Sequence, residues 1–204
     1  MPFASRSGGA RPRWLVPAAI AAGVLLLLVV PIVASYNGLV TKQESADQSF
    51  ADLDTQIQRR NDLIPNLVNA VRGILNQEQE VFGELARARA AYAGAGSPEE
   101  KFAASGRIEA GIGRLLAIVE NFPELRSSEN VLDLQTQLEG TENRIAQARR
   151  DYNAAVTDYN VSTRRFPRSI VAGLFGFDRR PLFEAEPEAR EVPEVDLGGS
   201  STPR

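Results

Sequence analysis

A seven-residue hydrophobic repeat in residues 128–164 constrains the fold more than any other feature of this sequence. It consists of two interleaved sets, Val131, Leu138, Ile145, Tyr152 and Tyr159, and Leu134, Thr141, Ala148, Ala155 and Ser162. This spacing places both sets on one stripe of an α-helix. At a rise of about 1.5 Å per residue, the helix would be roughly 55 Å long. A helix with one apolar stripe must cover it with other helices, so the repeat predicts a helical bundle.

The same repeat runs in unbroken phase from residue 50 to residue 92. Its members are Phe50, Ile57, Ile64, Val71, Glu78, Leu85 and Tyr92, with Leu53, Arg60, Leu67, Ile74, Val81 and Ala88 three positions after the first six. Pro65 lies in the middle, where a proline removes a backbone donor and crowds the carbonyl of Asn61. The phase favours one kinked helix, whereas Asn61 and Asp62 would cap a helix that restarts near residue 63. We expect a turn near Pro65, because it gives helices of more similar length.

A further helix is predicted to begin at Ser97, which can act as its N-cap. Pro98 then occupies the first turn, and Glu100 stands where a capping box places its carboxylate. Glycines at 106, 111 and 113 weaken the helix by up to about 1 kcal/mol each but permit close helix approach. The helix ends near Phe122. The short connection that follows requires it to run antiparallel to the helix over residues 128–164.

Residues 14–34 contain no charged side chain. At helical rise they span roughly 32 Å, which matches a hydrocarbon core of about 30 Å. A buried soluble helix is disfavoured because every face is apolar. A cleaved signal peptide is the alternative, since Val33 and Ser35 are small, but the apolar run is longer than usual and helical pattern resumes directly after it. We therefore predict a single uncleaved transmembrane anchor over residues 14–35.

The charges on either side of this run predict its orientation. Residues 1–13 form a basic tail with three arginines and no acidic residue, whereas the residues after the span carry Lys42 among several carboxylates. The positive-inside bias then keeps the N-terminus cytoplasmic and places the rest of a single-pass protein outside the cytoplasm.

The composition argues against most enzymatic chemistry. The chain has no cysteine and no histidine, which removes thiolate chemistry, the commonest general base and the usual zinc ligand. We expect no catalytic residue, metal or cofactor. The net charge of −3 gives no indication of nucleic-acid binding.

The C-terminal part of the chain divides into two segments. Residues 168–183 contain the apolar run SIVAGLFGF, which is too short to span a bilayer. We expect this segment to cover the end of the bundle, with contact to the membrane surface or a partner as the alternative. Residues 184–204 are acidic and proline-rich, a composition that predicts disorder.

Polar residues near the predicted seam form the candidate structural or partner-binding motif: Arg59, Arg60, Asp62, Pro65, Asn66, Glu139, Thr141, Glu142, Asn143, Arg144, Arg149, Arg150, Asp151, Tyr152 and Asn153. We hypothesise a buried polar network that joins residues 59–66 to residues 140–153 and fixes helix register. Glu78 would be a third polar seam residue, beside Arg60 and Thr141.

Three alternatives for these residues stay open. Arg144, Arg149 and Arg150 could bind a carboxylate or phosphate, although pairing with Glu142, Asp151 and Asp158 is favoured. Glu139 and Glu142 lie one turn apart, which suits a carboxylate metal site but is more typical of a solvated face. Tyr152 and Tyr159 are expected to pack in the core with a hydroxyl at its edge.

The chain resembles the LemA family of bacterial membrane-anchored helical proteins. The resemblance is carried by RRNDLIPNLV at residues 59–68, by the run from FPELRSSENV to DYN at 122–160, by FPRSIVAGLFGF from Phe166, and by RPLFEA at 180–185. It implies an all-α protein, in which an antiparallel, coiled-coil-like four-helix bundle over residues 36–167 follows one anchor, and it supports a split near Pro65. It implies no known catalytic residues, and relatives are linked to envelope organisation.

These observations together predict a non-enzymatic, membrane-anchored interaction or scaffold protein of the bacterial cell envelope. It would have an unidentified protein partner, and it could also form a homo-oligomer. The alternative is an envelope binding protein for an anionic small molecule or peptide, which the arginines of the long helix would hold.

Overall fold

The structure is a computed structural model that describes residues 15–75 and 78–183. These residues form six helices: α1 (Leu15–Arg72), α2 (Gln79–Gly94), α3 (Pro98–Val119), α4 (Pro123–Arg126), α5 (Glu129–Ser162) and α6 (Arg168–Phe175). They contain no strand, so the predicted all-α class is confirmed. The basic tail of residues 1–13, the first anchor residue Trp14 and the acidic tail of residues 184–204 lie outside the described residues.

The chain divides into two compact units. Of the described residues, the larger unit comprises 46–75, 78–157 and 180–183, and the smaller comprises 15–45 and 158–179.

Four helices alternate in direction around the core of the larger unit. Phe50 packs on Tyr152 and Arg60 contacts Glu142, so α1 and α5 are antiparallel. The helices α1 and α3 are parallel, since Asp54 binds Lys101 and Arg60, further along α1, binds Ser105, further along α3. A three-residue loop reverses the chain between α2 and α3. The predicted antiparallel four-helix bundle is therefore present in this unit.

The heptad repeat of α5 forms one side of the core, as predicted. All five members of its first set are buried: Val131, Leu138, Ile145, Tyr152 and Tyr159. The second set contains smaller side chains, which are buried or half-buried. Both tyrosines direct their hydroxyls to backbone carbonyls, of Pro181 at 2.8 Å and of Asp178 at 2.9 Å. The interpretation of these rings as core residues with a polar edge is confirmed.

The expected turn near Pro65 is wrong, because α1 continues through this residue to Arg72. An interior proline costs a helix about 3 kcal/mol. Ile64, Leu67 and Val71 are all buried in the core on the same face, and their burial, worth roughly 1.5–3 kcal/mol per side chain, outweighs that cost. Asn61 is accordingly a buried residue within the helix and not a cap.

The chain reverses after Arg72 instead, at Gly73 and Ile74. This placement corrects two assignments of the repeat. Ile74 is exposed, and Glu78 is the half-buried N-cap residue of α2 and not a polar member of a helical seam. The seven-residue repeat continues in phase across the turn, whereas the helix itself is interrupted there.

The predicted start of α3 is confirmed. The Ser97 hydroxyl accepts a hydrogen bond from the Glu100 backbone N–H at 3.2 Å. The Glu100 carboxylate accepts a bond from the Gly96 backbone N–H at 2.7 Å, one residue earlier than a regular capping box would place it. The connection from α3 to α5 contains the short helix α4, which the sequence pattern did not indicate.

Gly111 allows α2 and α3 to approach closely, as expected for a glycine in this helix. A Cβ atom at this position would lie 2.8 Å from Leu85 Cδ2. Gly113 has open space around the same position, so the close approach occurs at Gly111 and not at Gly113.

The smaller unit contains the apolar part of α1. Large side chains from Ile20 to Val33 are exposed on every face. Among the described residues, α1 is the one helix whose length and composition suffice to cross a membrane. Beyond this part, α6 packs on α1 through Val171 and Ala172, which form a small buried cluster with Leu39.

Candidate functional site

The centre of the larger unit contains a buried arginine. Only 2% of the Arg60 side chain is exposed, because it occupies a seam position of α1. Its guanidinium donates to the Glu142 carboxylate at 2.9 Å, and to the hydroxyl and backbone oxygen of Ser105 at 2.8 and 3.2 Å. A Glu109 oxygen lies 3.8 Å away. Arg60 therefore joins three helices, α1, α3 and α5.

The two carboxylates around Arg60 are partly exposed to solvent. The Glu142 and Glu109 side chains are 42% and 50% exposed. They line a groove of about 280 Å³ with Ile112, Leu116 and Leu138 on its apolar side. A buried cation is costly unless it is paired. This arrangement thus holds the helices in the one register that brings the acids to Arg60.

Thr141 lies beside this pair in the α5 seam. It is buried, and its hydroxyl donates to the Leu138 carbonyl at 2.8 Å. The Thr141 hydroxyl is therefore hydrogen-bonded within α5. The network between residues 59–66 and residues 140–153 consists of the Arg60–Glu142 pair. Asn143 and Arg144, which the hypothesis placed in it, are exposed.

A second polar cluster lies nearer the α2–α3 loop, and the sequence repeat did not reveal it. The Asp54 carboxylate accepts hydrogen bonds from Lys101 Nζ at 2.7 Å and from the Tyr92 hydroxyl. Burial raises the pKa of Tyr92, and the hydrogen bond to Asp54 raises that pKa further. Lys101 also lies 5.6 Å from the centre of the Phe50 ring. The only sequence signal was that the chain has just two lysines.

The residues after α6 bind to α5 within the larger unit. Asn153 pairs reciprocally with the Phe183 backbone, donating to its carbonyl at 2.9 Å and accepting from its N–H at 2.8 Å. The Phe183 ring is buried against the core, and the Arg149 guanidinium lies 4.4 Å from its centre. Arg180 binds Asp47. Residues 180–183 therefore act as a strap across the bundle.

Burial also raises the pKa of Tyr152 to about 12, although the nearby positive charge of Arg180 opposes this rise. Tyr152 thus keeps its proton, and its hydrogen bond to the strap, to a higher pH than an ordinary tyrosine would.

The arginines proposed to bind an anion together do not share a site. At about 100° per residue, Arg149 and Arg150 point roughly 140° and 120° away from Arg144, to opposite sides. Arg149 pairs with Glu109 at 3.7 Å, and Arg150 donates to Gln147 at 2.6 Å. The carboxylates expected to pair with them have other partners: Arg60 for Glu142, Gln147 for Asp151 and Lys42 for Asp158.

Arg144 instead shares a groove with Arg59. This groove of about 370 Å³ lies between α1 and α5, and Thr136, Gln137 and Gly140 contribute to its lining. Both arginines are exposed, and neither has an ion-pair partner within the described part of the chain. No acidic residue lines the groove. The remaining members of the candidate motif, Asp62, Asn66 and Glu139, are exposed, and Pro65 is half-buried.

Glu139 lines the same groove as Glu142. Within residues 15–75 and 78–183, no group of three or more metal-ligating side chains is assembled.

The fold and these contacts define a class of protein: a helical bundle with a polar centre, whose first helix includes one candidate membrane span. The chain belongs to the LemA family, whose model matches residues 49–197. Magnetosome proteins MamQ 1 and MamQ 2 of Paramagnetospirillum magneticum are each 28% identical to it over 194 residues, covering 80% of this chain and 71% of the relative. Magnetosome protein MamQ of Magnetospirillum gryphiswaldense is 28% identical over 189 residues, covering 80% and 70%.

Proposed function

We propose that this protein is a non-enzymatic, membrane-anchored interaction module of the bacterial cell envelope, with its bundle outside the cytoplasm. The observation that carries the proposal is the composition of α1. One helix, Leu15–Arg72, supplies an uncovered apolar span and then buried residues of the bundle core. The module is thus tied to the membrane by the helix that also builds it.

The bundle offers surfaces that suit protein partners. One groove has an apolar floor of Ile112, Leu116 and Leu138 and a rim that carries the charges of Glu109 and Glu142. A rim of charge around an apolar centre is the usual anatomy of a protein interface. The relatives are named magnetosome proteins, and a role in a membrane-bound assembly is consistent with an anchored module.

Photo-cross-linking in living cells tests this proposal. A photoreactive amino acid replaces Leu116, on the floor of this groove, in the full chain, and a matched variant carries it at the exposed position Ala103. The proposal expects a discrete cross-linked species from position 116 that is absent from position 103 and lost when residues 1–35 are removed. Identical, diffuse products from both positions would contradict it.

A second candidate function is binding of an anionic small molecule or peptide, favoured by the groove of Arg59 and Arg144. Two exposed guanidiniums with no acid in the lining can hold a carboxylate or phosphate in bidentate fashion. Titrating the full chain with inorganic phosphate or a carboxylate peptide, while following the NMR signals of arginine side chains, tests it. Binding should shift Arg59 and Arg144 but not Arg150, and equal shifts at all three would indicate a non-specific effect of the anion.

A further inference from the structure

One face of α6 is apolar and uncovered. Val171 and Ala172 are buried against α1, while Ile170 and Leu174, one turn apart on the other side, are 56% and 73% exposed. Phe166, in the turn that precedes the N-cap residue Pro167, is 82% exposed. Neighbouring large apolar side chains that are exposed to water are unfavourable, so this surface is suited to an apolar environment.

This face belongs to the same compact unit as the candidate membrane span. Tyr36 contacts the rings of Phe175 and Phe177 edge-on, with centres 5.0 and 5.6 Å apart. Tyr36 itself directly follows the predicted anchor of residues 14–35, at a helical rise of about 1.5 Å. Tyrosine at the end of a membrane span characteristically lies at the level of the lipid headgroups. With Tyr36 at that level, its ring contacts hold α6 there as well.

The charges around α6 are mainly positive. Arg164, Arg165 and Arg179 flank it and Arg168 is its first residue, against the single carboxylate of Asp178. Arg168 lies along α1, with a guanidinium nitrogen 3.2 Å from where a Cβ of Gly38 would be. Within the described residues, none of these four arginines forms an ion pair. An apolar face flanked by arginines fits the interfacial layer of a membrane that contains anionic lipids.

We propose that α6 lies in the interface of the membrane that holds α1, with Phe166, Ile170 and Leu174 among the acyl chains and the arginines at anionic headgroups. The inference rests on the proposed membrane anchor, and it gives this family member a second membrane contact beside it. The contact holds the end of α5, which leads into α6, at the membrane surface.

The absence of cysteine allows a direct test with single-cysteine variants that carry an environment-sensitive fluorophore. The full chain is reconstituted in vesicles of phosphatidylethanolamine and phosphatidylglycerol, with labels at Leu174→Cys, Leu27→Cys or Leu132→Cys. Leu132 is an exposed leucine of the larger unit and serves as the matched control. We expect lipids with brominated acyl chains to quench the labels at 174 and 27, and aqueous iodide to quench the label at 132.

The label at position 27 separates failure of this inference from failure of the anchor. If lipid quenches position 27 while iodide reaches positions 174 and 132 alike, the interfacial position of α6 is wrong. If lipid quenches neither 27 nor 174, the anchor itself is wrong. Protection of position 174 from both quenchers would mean that a second copy or another protein covers the face, which also overturns the proposal.

The lipid charge is tested separately by replacing Arg164 and Arg165 with glutamine. Each arginine near an anionic surface favours the bound state by about fivefold. The substitutions, or vesicles of neutral phosphatidylcholine alone, should therefore reduce lipid quenching at position 174 and leave position 27 unchanged. Equal quenching at position 174 under all conditions would contradict recognition of anionic headgroups.

Discussion

Removing the carboxylate of Glu142 should destabilise the bundle, because it leaves the buried charge of Arg60 with fewer partners. Loss of one member of a buried ion pair costs about 3–5 kcal/mol. Glu142 is 42% exposed, and Glu109 remains 3.8 Å from Arg60. Water and this second carboxylate recover part of the loss, so we expect Glu142→Ala to lower the free energy of unfolding by about 2 kcal/mol.

A matched control and a double-mutant cycle isolate this pair. Glu139→Ala makes the same chemical change one turn earlier on α5, at an exposed position, and should alter stability by no more than about 0.5 kcal/mol. Arg60→Met removes the buried charge with little change in volume, and it should cost about 1–3 kcal/mol because the buried Ser105 loses its hydrogen bonds to the guanidinium. In this background Glu142→Ala should cost no more than the control, which corresponds to a coupling energy of about 2 kcal/mol.

Urea unfolding of the full chain in detergent micelles measures these energies. Near-ultraviolet circular dichroism of the buried tyrosines, Tyr92 and Tyr152, follows loss of packing in the larger unit. Equal effects of Glu142→Ala and Glu139→Ala would contradict a stabilising role of this ion pair. An equal cost of Glu142→Ala in the Arg60→Met background and in the native chain would contradict it as well.

Three further predictions concern the same unit. Gly111→Ala should destabilise the fold by about 1–3 kcal/mol, because its Cβ would lie 2.8 Å from a leucine of α2. Gly113→Ala, in open space, should stabilise the fold by up to about 1 kcal/mol. Thermal unfolding distinguishes the two variants, and equal effects would contradict the close approach. Because the pKa of Tyr152 is raised to about 12, the folded state holds this proton more tightly, so its contribution is complete below pH of about 10. That contribution should be lost as pH rises from there through 12, and Tyr152→Phe should reduce this slope in alkaline unfolding. Asn153→Ala should release the strap of residues 180–183 at a cost of about 1–3 kcal/mol, which increased hydrogen exchange of those amides would show and unchanged exchange would contradict.

The elements that periodicity determines were predictable from the sequence. The repeat of α5 identified its five buried positions, because burial of one stripe is a local property of a helix. The short connection before α5 indicated the antiparallel arrangement. The cap of α3 was equally local. Pro65 misled because its cost is local, whereas the burial of Ile64 and Leu67 that outweighs it depends on helices distant in the chain.

The candidate site was predictable only in part, for a similar reason. Arg60 was identified because a charge at a seam position contradicts the repeat, but its partner Ser105 lies on a helix whose rotation the sequence does not specify. The cluster of Asp54, Lys101 and Tyr92 depends on the same rotation. The strap through Phe183 depends on where the chain returns after α6, and no periodic pattern encodes that position.

The proposed function depends most on α1 crossing the membrane with the bundle outside the cytoplasm. Labelling of a single cysteine with a membrane-impermeant maleimide tests this claim most directly. Ala90→Cys introduces the thiol at an exposed position of α2, and Ser7→Cys introduces it in the basic tail as a control. In spheroplasts, the thiol at position 90 should react, while the thiol at position 7 should react only after the membrane is disrupted. The opposite pattern would contradict the proposed orientation, and reaction of both in intact spheroplasts would contradict the membrane span itself.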